Sequence, residues 1–103
     1  MSPIRLSDIV EAVRPLRTAG DLNARVTGVT ADSRRVLPGH VFVALGGLRS
    51  DGHHFIGQSL DRGAVGVILE REGLPVGQAA QILVADGRQA LAQAAARFHG
   101  YPA

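Results

Sequence analysis

Val41-Phe42-Val43-Ala44-Leu45 is an unbroken apolar run, entered through Pro38-Gly39-His40 and left through Gly46-Gly47. Its length is that of a strand. Because no polar residue alternates along it, both faces of that strand must be covered. A strand buried on two sides lies inside a sheet with layers above and below it. Val65-Gly66-Val67-Ile68-Leu69 and Gln81-Ile82-Leu83-Val84-Ala85 have the same character, so three buried strands are predicted, over 41–45, 65–69 and 81–84.

Helical spacing appears between and around these runs. Leu6, Ile9, Val10 and Val13 fall at i, i+3, i+4 and i+7, with Ser7 and Asp8 as starters and Pro15 as the stop. Asp51-Gly52 opens a second helix, in which Phe55, Ile56 and Leu60 are expected to point inward and Gly63 to take the left-handed conformation at its end. Asp86 caps a third, with Leu91, Ala94, Ala95 and Phe98 on one face. The β-branched stretch Arg25–Thr30 reads as a fourth strand, Arg34–Leu37 as a short extended segment, and Gly73–Gly77 as a loop. The expected fold is α/β: a single three-layer domain over residues 1–103, with a mixed, partly parallel sheet flanked by helices. Gly100-Tyr101-Pro102 reads as chain leaving that domain.

Composition narrows the function. A chain of 103 residues supports one hydrophobic core, and with three Phe, one Tyr and no Trp that core is built from Val, Ile, Leu and Ala. There is no apolar run of about 18 residues and no signal-peptide h-region at the N-terminus, so no membrane insertion is expected and the cytoplasm is the default location. Absence of cysteine removes disulfides and thiolate metal sites. All eleven cationic residues are arginine. Without lysine there is no phosphate-binding loop of the G-x-x-x-x-G-K-[ST] kind and no Schiff-base chemistry. The arginines are scattered, with no aromatic interleaving, and the net charge is only +2, which reads as a solvated surface and not as a nucleic-acid stripe.

Two glycine-bearing turns flank the 41–45 strand. In Asp32-Ser33-Arg34, a serine and neighbouring N–H groups at a strand end can meet a phosphate or a base carbonyl, and Arg34 or Arg35 can neutralise charge. Alternatively, the same residues make an Asx turn pinned by a local ion pair. Gly46-Gly47-Leu48-Arg49-Ser50-Asp51-Gly52 can turn successive N–H groups toward one anion at a helix start, or simply connect strand to helix with Asp51 as the cap. His53-His54 with Asp51 and His40 suggests a metal site only superficially. Adjacent histidines on a helix diverge by about 100°, and no i,i+4 pair exists. His53 is expected to order the helix start, and Asp86-Gly87-Arg88 to serve structure.

Val29-Thr30-Ala31-Asp32-Ser33-Arg34, Pro38-Gly39, Val41-Phe42-Val43-Ala44, Gly46, Asp51-Gly52-His53, Phe55, Gly63-Ala64 and Val67 continue in order into Val84, Asp86, Arg88, Ala90-Leu91-Ala92, Phe98, Gly100 and Pro102. This ordered set resembles the N-terminal domain of the Mur ligases, most of all the MurE type, over nearly the whole chain. The resemblance implies the substrate-binding domain of a UDP-N-acetylmuramoyl-tripeptide synthetase of bacterial peptidoglycan synthesis. Such a domain holds the uridine diphosphate end of UDP-N-acetylmuramoyl-L-alanyl-D-glutamate. By position the contacts would be Ala31, Ser33, Leu48, Arg49 and Ser50, supported by Arg34, Gly46 and Gly47. It further implies no catalytic or metal-binding residue here and no cofactor bound by this domain. ATP and Mg would belong to the full-length ligase, whose central and C-terminal domains would be partners in cis. An isolated chain of this kind is expected to be inactive. Whether the third amino acid is diaminopimelate or lysine is left open by the missing domain. The alternatives are a free-standing, non-catalytic module for a nucleotide sugar or a protein, and a nucleic-acid-binding domain.

Overall fold

The computed structural model describes residues 4–45 and 52–100. Helix α1 (Leu6–Val13) is followed by strand β1 (Arg17–Ala19), strand β2 (Gly28–Thr30), a 3-10 turn (Ser33–Arg35) and strand β3 (His40–Val43). A second 3-10 turn (Gly52–Phe55) runs into helix α2 (Ile56–Asp61), then strand β4 (Gly66–Leu69), strand β5 (Ala80–Leu83) and helix α3 (Gly87–His99). The strands form one sheet in the order β1-β5-β4-β3-β2. From β2 to β5 all neighbours are parallel, while β1 pairs antiparallel with β5, so the sheet is mixed.

Period-two alternation assigns the side chains of β3 to two different cores. Val41 and Val43 join Ile68 and Ile82 beneath α1 and α3, against Leu6, Ile9, Val13, Ala90 and Ala94. Phe42 and Ala44 join Val67 and Leu69 on the other face, against Val36 and Ile56 of the α2 side. The three layers expected of a doubly buried strand are present. Close packing of α1 depends on Gly66, where a Cβ would lie 2.8 Å from Leu6 Cδ2.

Local chemistry accounts for the helix ends. The Arg5 N–H donates to Asp8 Oδ2 (2.9 Å), fixing the start of α1, and Arg97 of α3 pairs with the same carboxylate at 3.3 Å. Asp86 Oδ1 accepts from the N–H groups of Arg88 (3.0 Å) and Gln89 (3.1 Å), as predicted for the cap of α3. Gly100 ends that helix at φ +67°.

Three expectations are corrected, and one strand joins the sheet that the sequence does not announce. Arg34–Leu37 is not extended: Ser33–Arg35 coils into a 3-10 turn because Asp32 caps it, and only beyond it does Val36 become extended. Strand Arg25–Thr30 shortens to Gly28–Thr30. Phe55 does not point inward; it is 43% exposed while Ile56 takes the core position. β1, which has no apolar run, was not anticipated. It exists because Leu16 donates to Leu83 O (2.8 Å) and Arg17, Thr18 and Ala19 lie in register with Leu83, Ile82 and Gln81.

Candidate functional site

The parallel strands β2, β3, β4 and β5 all end on one edge of the sheet, the side on which open α/β sheets receive ligands. Ala31-Asp32-Ser33-Arg34 leaves β2 there, and the turn before α2 lies beside it. Between them is an open recess of about 550 Å³ lined by Ala31, Asp32, Ser33, Arg34, Phe55 and Gln58.

The turn is built from its own side chains. The Asp32 N–H donates to Thr30 Oγ1 (3.0 Å), and Asp32 Oδ1 accepts from the Arg34 N–H (3.0 Å). Arg34 Nε then donates to Asp32 Oδ1 and Arg34 Nη2 to Asp32 Oδ2, each at 3.2 Å, with Arg35 Nε 3.8 Å from Asp32 Oδ2. The hydrogen bonds from Arg34 hold the Asp32 carboxyl below the usual carboxylate range, and the same pairing raises Arg34. Asp32-Ser33-Arg34 is therefore an Asx turn with a local ion pair, and the Arg34 guanidinium is committed within it.

Ser33 is different. It is buried, and its Oγ–H donates to Gln58 Oε1 at 2.7 Å, across 25 residues of sequence. Gln58 and Phe55 stand one turn apart on the side of α2 that faces the recess, while Ile56 and Ser59 turn to the interior. Neither was singled out as a site residue from sequence. The signal was present in the i,i+3 spacing of Phe55 and Gln58, which gives them one face; Phe55 was assigned to the core instead.

The predicted ordering role of His53 has a definite geometry. Its ring is buried, and Nε2 accepts the Glu70 N–H at 3.1 Å, just beyond β4. Glu70 Oε2 in turn accepts the Gly87 N–H at 2.6 Å, at the start of α3. A Cβ at Gly87 would lie 3.1 Å from that carboxylate oxygen, so any larger residue would have to displace it by a few tenths of an ångström. These bonds lock together the segments that surround the strand ends. Gly46, Gly47, Leu48, Arg49, Ser50 and Asp51 lie outside the described residues, so the structure brings together Ala31, Ser33 and Arg34 of the predicted set. A second hollow, of about 240 Å³, lies at the opposite edge beside β1 and holds none of them.

The Mur ligase family model described as its catalytic domain matches residues 25–99. The chain belongs to the Mur ligase family. Within that family it corresponds to the N-terminal domain of MurE-like tripeptide synthetases, and the free-standing-module alternative is not favoured. Over 99 residues it is 42% identical to the UDP-N-acetylmuramoyl-L-alanyl-D-glutamate--2,6-diaminopimelate ligase of Geobacter sulfurreducens, covering 96% of this chain and 19% of the relative. The enzyme of the same name from Chlorobaculum tepidum is 45% identical over 102 residues, covering 93% and 20%. Among solved structures, MurF from Acinetobacter baumannii superposes with a TM-score of 0.78 at 29% identity, over 94% of this chain and 21% of that one. The Mur ligase-like chain thus spans about a fifth of the length of the relatives it matches. Among the described residues no helix is long and apolar enough to cross a membrane.

Proposed function

We propose that this chain is the substrate-holding part of a MurE-type ligase and that it binds the uridine diphosphate end of UDP-N-acetylmuramoyl-L-alanyl-D-glutamate. The observation that carries this reading is the recess at the carboxyl edge of the parallel strands, where the family-matched turn Ala31–Ser33 meets α2. Ala31 and Ser33 would contact the nucleotide from one side, and Leu48, Arg49 and Ser50 from the loop after β3, with Gly46 and Gly47 in support and Arg34 supporting indirectly by holding the Asp32 turn. Most of the second group would act through backbone N–H groups, which suits a glycine-rich loop.

The domain's contribution is positional. Gripping the nucleotide fixes the far end of a long substrate, so that its D-glutamate carboxylate is aligned for amide formation in the other domains. ATP and Mg belong to those domains in this reading. This chain does not fit them: it contains no lysine for a phosphate loop, and no cluster of three metal-ligating side chains exists among the described residues. The relatives are named as 2,6-diaminopimelate ligases, which supports diaminopimelate as the added amino acid, and a cytoplasmic location is part of the same reading. The domain extends over 1–103, with the remaining ligase domains as its partners in cis.

The test is an amide-shift titration of this chain with UDP and with UDP-N-acetylmuramoyl-dipeptide. Shifts should gather at Ala31–Ser33 and the 48–50 loop, with a dissociation constant near the millimolar range, about −4 kcal/mol, because contacts from other domains are missing. Ser33→Ala should weaken binding by about 1 kcal/mol, the net worth of one hydrogen bond. Shifts gathered along Arg88–Phe98 instead, with Ser33 silent, would overturn the site.

A further inference from the structure

The bond between Ser33 and Gln58 leaves an unusual pair of groups at the recess. A serine hydroxyl has one proton to give, and here it goes to Gln58 Oε1 (2.7 Å), so Oγ faces any further partner as an acceptor. The same bond fixes the carboxamide. With Oε1 occupied by Ser33, the Gln58 Nε2 amine is left as a donor, with no other partner among the described residues. Acceptor and donor therefore stand at opposite ends of one hydrogen-bonded amide, within about 5 Å of each other. Gln58 is exposed, and both residues line the recess.

Two other features of the recess select the kind of molecule that fits this pair. Phe55 offers a 43% exposed aromatic side chain in the same lining, a surface for a flat ring. Asp32 contributes a carboxylate, partly neutralised by Arg34 and Arg35, which makes this corner a poor seat for a phosphate. A planar, neutral heterocycle with a donor next to an acceptor satisfies all four groups. The imide edge of uracil has that order: N3–H donates and the neighbouring carbonyl accepts. Cytosine presents the inverse at the same atoms, an acceptor at N3 and an amine beside it.

We propose that Ser33 and Gln58 act as one unit that reads the imide edge of the nucleobase, Ser33 Oγ accepting from N3–H and Gln58 Nε2 donating to the adjacent carbonyl, so that Gln58 is a determinant of uracil over cytosine. This rests on the reading above that the recess receives a uridine nucleotide. A mismatched edge sets acceptor against acceptor at Ser33 and donor against donor at Gln58, and discrimination follows from that loss.

The experiment titrates this chain with UDP and CDP, following backbone amides and the Gln58 side-chain NH2. UDP should move Ala31–Ser33 and the Gln58 NH2 and bind about tenfold more tightly than CDP. Gln58→Met should weaken UDP about fivefold and abolish the preference, while Gln58→Glu, which exchanges the donor for an acceptor, should weaken UDP further. Gln58 is exposed, so these variants should retain the dispersed amide spectrum; the comparison of bases in the unaltered protein needs no variant at all. If UDP moves Ala31–Ser33 but CDP binds equally, or Gln58→Met leaves both affinities unchanged, the base-reading role is overturned and the site remains. If UDP moves nothing near Ala31–Ser33 at several millimolar, both the site and the role are overturned.

Discussion

Asp32, Ser33 and Arg34 are neighbours with separate duties. Asp32 and Arg34 spend their charges on each other, which makes a rigid turn and holds the carboxyl below the usual carboxylate range. A lowered folded value means that this pairing contributes fully above the unfolded value, near pH 4, and is lost as pH falls through the lowered one. The Asp32 carboxyl resonance should therefore titrate below the usual carboxylate range, and Arg34→Gln should return it toward pH 4. An unshifted titration in the parent protein would contradict the ion-paired turn. The turn itself was legible in sequence, since an Asp two residues before the N–H it accepts is a local pattern. The partner of Ser33 was not, because Gln58 lies 25 residues away.

Among the elements, those that follow local rules were readable. α1 covers its apolar spacing and stops before Pro15, although it starts one residue ahead of the predicted Ser7 and Asp8, which lie in its first turn with Arg5 as the cap. α3 starts on Asp86, with Gly87, Ala90 and Ala94 as its buried face. Of the predicted face Leu91, Ala94, Ala95 and Phe98, only Ala94 is buried; Leu91 and Phe98 are partly buried beside the core, because the helix turns its Gly87–Ala90–Ala94 side to the sheet. Gly63 ends the α2 segment at φ +97°, and a Cβ there would approach Pro38 Cα to 2.8 Å. That atom is backbone, which cannot swing aside as a flexible side chain would. Gly63→Ala should lower stability by about 1–3 kcal/mol, through left-handed strain and overpacking together. Urea denaturation of the two proteins measures this, and an unchanged midpoint would refute it. β1 shows the opposite case: Arg17-Thr18-Ala19 carries no strand pattern, and only the free edge of β5 makes it a strand.

Across the whole molecule, the His53–Glu70–Gly87 chain joins the turn before α2, the end of β4 and the start of α3. His53→Ala would leave the Glu70 N–H without this acceptor and open space at a buried position, costing about 1–3 kcal/mol. Hydrogen exchange at the Glu70 amide should accelerate with it, and exchange at an unaltered rate would deny the bond. The amino-acid sequence by itself determined the α/β class, the three doubly buried strands, the caps of α3 and the turn at Asp32, and the exclusion of phosphate-loop chemistry by missing lysine. Each of these follows from composition, or from groups no more than a few residues apart, where backbone geometry fixes who meets whom. Tertiary structure alone decided the edge strand β1, the outward Phe55, the Ser33–Gln58 pair and the link from His53 to Gly87. Those contacts join residues at least 17 positions apart, 66 in the Arg17–Leu83 pair, and depend on strand order and register, which bring the loops at the carboxyl edge of the sheet together.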